Sequence, residues 1–519
     1  MKDWEEQHFF RLDEVNIKTF LPDVGGTQYL FLLLNSNMLE LEAPYSTKQA
    51  EGTEVMSQNK PNVIFILVDD LGWGELGCYG NTFNETPNID ALAAGGIRFT
   101  TAYASSTVCS PSRAALMTGQ APPRNGITDY LRPDTEWHLP LNPNSFADNE
   151  LPEDTDFRFD PNMVTLADMF KQQSYHTGII GKWHLSGYDQ NGVKFGPTKY
   201  GFNESIVSEQ VGIGNGSYFW PYKLVDPAIQ PLDGKKEEYL VDRMNEEAVR
   251  FIRRNADRPF FLYLSHYAVH TTLVGKTEDV RYFAEKAGLN SSDDLAWIKH
   301  HNPILAAMLK SVDDGVGMIR KTLEELGLDQ NTLIIFTSDN GGETRVTRNG
   351  HLRGGKSTTY EGGLRIPLAM SWPQRVAKGT ECRVPTINMD FYPTFAEILG
   401  YQIPKHHIVD GVSITSLMYG LEEGAEIPAD LVDRSFYWHY PLEKPHFLGG
   451  RSSAANRTGD WKIISFFDDE SKELYNLSND EAESVNLSRS EPELTHKLDE
   501  NLKSWLESVN AEIPATRKQ

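Results

Sequence analysis

Cysteine is scarce in this chain: 519 residues contain three, Cys78, Cys109 and Cys382. So few exclude a disulfide framework, and the odd number leaves at least one thiol free or chemically special. Long apolar runs are missing as well. No stretch reaches the roughly 18 to 20 residues of a membrane-spanning helix, and the best N-terminal candidate, Tyr29 to Leu34, is far too short. The opening MKDWEEQ has neither the basic patch nor the apolar run of a secretory signal. Positive charge is in deficit: 49 Lys and Arg against 73 Asp and Glu give a formal charge of -24. Most of such a surface repels a phosphate backbone, which excludes a non-specific nucleic-acid binder, whereas a small anion needs only a locally cationic pocket. There is no internal repeat and no low-complexity tract.

What is present describes a folded, loop-rich protein, with 39% apolar and 11% aromatic residues. The length exceeds one ordinary core and suggests about two to three domains. Residues 1–58 show little strand or helix periodicity and read as a poorly structured extension or a start-site artefact, with Met38 and Met56 as later starts. From Pro61 the texture changes. NVIFILV is a continuous apolar, β-branched run, which suits a strand buried on both faces of a mainly parallel sheet. Similar runs recur at His176 to Ile180, Phe260 to Leu264, Leu333 to Thr337 and Leu364 to Met370. Helical patterns lie between them, at Met163 to Gln173, Tyr239 to Asn255 and Asn302 to Leu326. This alternation predicts an α/β fold with a large mixed, mostly parallel sheet sandwiched by helices over residues 59–428. SFYWHY, DWKIISFF, ELYNL and a helix from Glu491 to Val509 predict a smaller α+β unit over 429–519. Polar, Pro-rich insertions at Arg132 to Pro161 and Gly187 to Pro231 are expected to wrap the mouth of a site. The aromatic stretches YFWPY and FYWHYP are candidates for a ring-binding cleft.

Open α/β sheets bind ligands outside the carboxyl ends of their strands. Unusual polar residues stand there in this sequence: Asp69 and Asp70 after the first strand, Lys182 and His184 after the second, His266 and His270 after the third, Asp339 and Asn340 after the fourth. Asp69, Asp70, Asp339 and Asn340 offer hard oxygen donors, a set that selects Ca²⁺ or Mg²⁺ over Zn²⁺. Three such carboxylates gathered together are expected to repel one another without a cation. Either pair alone also fits a turn or helix cap. The segment TVCSPSRAALMTG puts Ser110 and Pro111 at the cap and first position of a helix, with Cys109 just before its N-terminus, where backbone N–H groups favour an anion. On these grounds Cys109 is either a low-pKa thiolate nucleophile or a buried small residue.

CSPSRAALMTG resembles the CxPSRxxLxTG signature of the formylglycine-dependent sulfatases of the alkaline phosphatase superfamily. The resemblance extends through PNVIFILVDDLGWGELGCYG, GKWHL, TSDNGG, RGGKSTTYEGGLRIPL and WKIISFFDDESKELYNLSND, from about Asn62 to the C-terminus, and includes bacterial polysaccharide sulfatases. It implies an alkaline phosphatase-like fold and conversion of Cys109 to formylglycine by a separate maturation enzyme, which reads Pro111 and Arg113. It implies that Asp69, Asp70, Asp339, Asn340 and the modified Cys109 bind one cation, usually Ca²⁺, with Mg²⁺ as the other choice. Arg113 then steadies the aldehyde hydrate that attacks sulfur, Lys182 and Lys356 neutralise the sulfuryl group, and His184 accepts the hydroxyl proton that releases sulfate. His270 matches the position that protonates the leaving alcohol, although Val269 stands where the common pattern has Pro. His300, His301, His406, His407, His439 and His446 are assigned to packing.

The expected activity is therefore hydrolysis of sulfate esters, on a sulfated polysaccharide or oligosaccharide such as an algal glycan or a glycosaminoglycan. A phosphate or phosphonate ester hydrolase of the same superfamily, and an inactive sulfated-glycan-binding protein with unmodified Cys109, are the alternatives. The resemblance also implies a periplasmic or extracellular location.

Overall fold

Asn62–Val68 (β1) is buried along its whole length, as a strand without polar alternation must be. Val63, Phe65 and Leu67 enter one hydrophobic core, and Ile64, Ile66 and Val68 enter another. Cys109–Thr118 (α1), Leu166–Gln172 (α2) and Phe391–Leu399 supply side chains to the first core. Leu240–Arg254 (α3) and Pro303–Leu326 (α4) supply the second. Helices thus cover both faces of one sheet. The computed structural model describes residues 60–131, 164–185, 187–188, 194–206, 218–222, 232–289, 295, 298–420 and 426–514, together with strand residues between 8 and 41.

Among the described residues the sheet has nine strands. After β1 come Ile97–Tyr103 (β2), His176–Gly181 (β3), Glu204–Ile206 (β4), Phe260–His266 (β5), Thr332–Ser338 (β6), Arg365–Ser371 (β7), Thr380–Cys382 (β8) and Thr386–Ile387 (β9). Their order is β4-β3-β5-β1-β6-β7-β2-β8, with β9 also beside β2. Only β7 runs against the rest. It carries Pro367, which has no N–H to give, and the pairing with β2 shifts register there. The five strands expected from apolar runs are all present. β2 and β4 were not anticipated, because IRFTTAY alternates weakly and ESI is only three residues long.

Register decides where the chemistry gathers. Val68 pairs with His266 on one side and with Ser338 on the other, and Gly181 pairs with Ser265. Residues 69–70, 182 and 339–340 therefore leave the sheet at one edge and at one height. Gly181 makes the tightest of these exits: its φ is +99°, and a Cβ would lie 2.0 Å from the Ser265 carbonyl oxygen. Only glycine fits that position, and it lets the Lys182 N–H donate to the same carbonyl at 2.8 Å.

Past residue 434 the chain forms an antiparallel sheet of Ser435–Tyr440 (β10), Ser453–Thr458 (β11), Trp461–Phe466 (β12) and Lys472–Asn476 (β13). Helix Pro492–Ser508 packs on it through Leu498, Leu502 and Leu506. This sheet is fused to the large one: Pro61–Gln519 is one compact unit, and Lys462 of β12 is wholly buried between Glu361 and Glu483, each at 2.9 Å. Trp438 and Tyr440 of FYWHYP, and Tyr218 of YFWPY, lie in cores. Those side chains serve packing and do not form the ring-binding cleft expected of them.

Met1–Lys60 is a separate unit. Expected to be poorly structured, it contains an antiparallel sheet of His8–Leu12, Val15–Phe20, Leu30–Leu34 and Asn37–Leu41. These strands are too short for periodicity to betray them, yet VNIKTF and LFLLL are apolar or β-branched enough to pair. The insertion at 132–161 and most of that at 187–231 lie outside the described residues. Among the described residues no helix is long and apolar enough to cross a membrane.

Candidate active site

Cys109 opens α1 as its first residue, with Val108 as the cap, so the helix begins two residues earlier than a cap at Ser110 would place it. It is buried beside the strand exits. Its sulfur and single carboxylate oxygens of Asp69 and Asp339 lie within 4.8 Å of one another, as do its sulfur, an Asp70 oxygen and a His270 nitrogen. The loop carrying Lys356 is tied to this segment by the Ser357 N–H, which donates to the Thr107 carbonyl at 2.8 Å.

Three cations meet three carboxylates here. Arg113, one turn into α1, donates to Asp339 Oδ2 from Nε at 2.9 Å and from a terminal nitrogen at 2.7 Å, and lies 3.3 Å from Asp69 Oδ1. Lys182 Nζ is 2.6 Å from Asp69 Oδ2, and Lys356 Nζ is 2.7 Å from Asp70 Oδ2. The repulsion expected among the carboxylates is therefore already met by protein charge. Burial raises the Asp69 carboxyl, but Lys182, His270 and Arg113 outweigh it and hold that group well below the ordinary range. Asp70 is lowered in the same way, against its burial, by Lys356 and His270.

A low-pKa thiolate is not what the geometry makes. Burial pushes the Cys109 thiol up to about 12; Lys182 and Lys356 pull it down less than that, and Asp69 and Asp339 add to the rise. The helix N-terminus and two lysines do not overcome the loss of water.

His184 adopts a left-handed backbone, φ +58°. Its Nε2 lies 2.7 Å from the Leu131 carbonyl oxygen, so this nitrogen carries the proton. Nδ1 keeps the lone pair and is buried without a hydrogen-bond partner among the described residues. Burial, then Lys182, holds the ring's pKa well below its ordinary value, so it is neutral at physiological pH. His270 sits at the mouth: Nδ1 meets the Thr271 carbonyl, and Nε2 is 3.6 Å from Asp70 Oδ2. His266 stands apart, its pKa lowered to about 3 by burial alone. Sequence reading missed Ser265, whose hydroxyl lies 2.6 Å from Arg113. Its position at the end of β5, beside the turn carrying Lys182, was the available signal.

The donor set fits a hard divalent cation. Asn340 donates its amide to Asp70 Oδ1 at 2.8 Å, while its own Oδ1 is buried with no partner among the described residues. An orphaned carbonyl oxygen beside three carboxylates is the environment such an ion requires.

Comparison with known proteins decides the family. The sulfatase family profile matches residues 61–401, and the N-sulphoglucosamine sulphohydrolase C-terminal profile matches 353–512. The chain belongs to the sulfatase family. Human arylsulfatase A is 32% identical over 493 residues, covering 86% of this chain and 87% of the relative. Human steryl-sulfatase is 30% identical over 490 residues, covering 80% and 77%. The crystal structure of Ps i-CgsB in complex with k-i-k-neocarrahexaose superimposes with a TM-score of 0.68 at 28% identity, covering 89% of this sulfatase and 95% of that chain. Like its relatives the sulfatase is a sulfuric ester hydrolase, with the alkaline phosphatase-like fold expected of it.

Proposed function

We propose that this sulfatase removes sulfate from a carbohydrate ester by way of formylglycine at position 109. The observation that supports this most is the convergence of Arg113, Lys182 and Lys356 on three carboxylates around that buried side chain. Asp69, Asp70, Asp339 and Asn340, with the modified residue 109, would hold one Ca²⁺ or Mg²⁺. A bound divalent cation polarises a sulfate oxygen and favours the ionised form of a neighbouring hydroxyl. Formylglycine at position 109, as its hydrate, would supply two hydroxyls on one carbon, one as nucleophile and one as a proton donor.

The chain's own residues do the rest. With a dication added, the balanced set of three carboxylates and three cations becomes net positive and receives an anion. Lys182 and Lys356 then turn from carboxylate partners into stabilisers of charge developing on the sulfuryl oxygens, in a site that excludes water. Arg113, held by Asp339 and Ser265, fixes the start of α1 and thus residue 109. His184, neutral with its lone pair on Nδ1, accepts the hydroxyl proton that frees sulfate. His270 Nε2 faces the site; with Nδ1 donating to the Thr271 carbonyl, it would protonate the leaving alkoxide only as the imidazolium, a form that burial and then Lys356 oppose and Asp70 favours.

Neocarrahexaose in the Ps i-CgsB structure supports a carbohydrate substrate. The catalytic assignment covers 59–428, with 429–519 bracing the Lys356 loop. Maturation by a formylglycine-generating enzyme, and action in the periplasm or outside the cell, complete the proposal.

Rates on matched sulfate and phosphate monoesters test the reaction class: faster sulfate turnover is expected, and faster phosphate turnover would replace this reading. His270→Gln tests the acid. It is expected to lower kcat on a sugar sulfate by roughly 10²- to 10⁴-fold and to cost far less on 4-nitrophenyl sulfate, whose leaving group needs no proton. Equal losses on both would remove His270 from that role.

A further inference from the structure

Trp438, Tyr440 and Tyr218 of the two aromatic stretches are buried in cores, whereas Phe447 is 72% exposed, more than any other large hydrophobic side chain described. A lone exposed aromatic is ordinary; its setting here is not. Phe447 sits in a turn closed by two backbone hydrogen bonds, His446 N–H to the Gly450 carbonyl and Gly449 N–H to the His446 carbonyl, both at 2.8 Å. Gly449 has φ +91°, and the His446 ring nitrogen accepts the Leu448 N–H at 3.1 Å. The ring is therefore presented on a braced support.

That support adjoins the catalytic centre. A Cβ on Gly450 would lie 1.9 Å from the carbonyl oxygen of Ser357, the neighbour of Lys356. The His446 ring stands 5.7 Å from Tyr130, whose neighbour Leu131 offers its carbonyl to His184. On the open side the Arg345 guanidinium lies 5.5 Å from the Phe447 ring centroid, with 42% of the Arg345 side chain exposed. Arg345 pairs with Glu343, and Glu343 accepts a hydrogen bond from the Thr271 hydroxyl at 2.6 Å. Thr271 in turn meets His270. A continuous row, His270, Thr271, Glu343, Arg345 and Phe447, thus runs outward from the group facing the leaving alcohol.

We infer that Arg345 and Phe447 form the subsite for a sugar ring of the leaving group, the apolar face of the ring on Phe447 and its oxygen substituents on the Arg345 guanidinium. An exposed aromatic face beside a fixed fork of N–H donors suits a ring with one apolar face and a polar edge. This inference rests on the carbohydrate reading proposed above.

The test compares kcat/KM for 4-nitrophenyl sulfate, a steryl sulfate and a panel of sulfated oligosaccharides, in matured wild type, Phe447→Ala, Phe447→Trp and Arg345→Gln. Phe447→Ala and Arg345→Gln are expected to lose roughly tenfold more on the cleaved oligosaccharide than on 4-nitrophenyl sulfate, and Phe447→Trp is expected to recover most of that difference. Equal losses on all substrates, or a larger loss on the steryl sulfate, overturn the subsite while leaving the carbohydrate reading intact. A wild type that cleaves the aryl or steryl sulfate and no oligosaccharide overturns both.

Discussion

Cys109→Ala is expected to abolish turnover, lowering kcat/KM on any sulfate ester by roughly 10⁵-fold or more. The thermal midpoint should move little, because the change removes one sulfur from the first position of a helix and alanine is an excellent helix former. The physical reason for so large a loss is that the proposed reaction takes its nucleophile from residue 109 itself. Ser106 and Thr107 hydroxyls are buried nearby without hydrogen-bond partners among the described residues, but neither is set beside a base. The thiol itself is a poor candidate: burial pushes its pKa up to about 12, so the neutral, weakly nucleophilic form prevails at pH 7. Unconverted protein is therefore expected to be as inert as the alanine variant. A Cys109→Ala protein that keeps a tenth of wild-type activity would place the nucleophile elsewhere.

Asp339→Asn is the second large effect. The substitution keeps the shape of the side chain and removes the charge that accepts two hydrogen bonds from Arg113. Arg113 is buried and would retain Asp69 as its one carboxylate partner, at 3.3 Å. Leaving a buried cation short of its partner costs about 3 to 5 kcal/mol, so the thermal midpoint of the cation-free variant falls. Stripping wild type with a chelator and restoring Ca²⁺ should raise its midpoint, as any ligand of the native state does, while the variant shows little such rise. Activity should drop by about a thousandfold, the value of losing several kcal/mol of charge stabilisation in the transition state. Wild type that keeps its full rate after exhaustive chelation would contradict the metal assignment.

Much of this arrangement is legible in the chain. NVIFILV followed by two aspartates already states a doubly buried strand with charge at its carboxyl end, and parallel register then forces Asp69, Lys182 and Asp339 to one edge. Other features depend on contacts that no local pattern carries. The three-to-three pairing of carboxylates with cations joins residues from five separate segments, so the sequence suggested repulsion where the fold provides partners. For Cys109 the sequence left an activated thiolate and a buried small residue both open, because a helix N-terminus is visible in CSPSR and the degree of burial is not; the fold chooses burial. FYWHYP looked like a cleft because aromatic residues suit sugars and cores equally, and only the docking of the second sheet chooses between them. Phe447 was overlooked because Pro445, Gly449 and Gly450 mark a turn without showing that it folds against the Lys356 loop.

One measurement bears most directly on the central claim. Protein produced together with a formylglycine-generating enzyme is digested, and the peptide containing residue 109 is weighed alongside an assay of sulfate release from the same preparation. Replacing CH₂SH by CHO predicts a mass about 18 Da below that of the thiol peptide, in proportion to the measured activity across preparations. Full sulfate release from a sample whose residue 109 is entirely thiol would contradict the account.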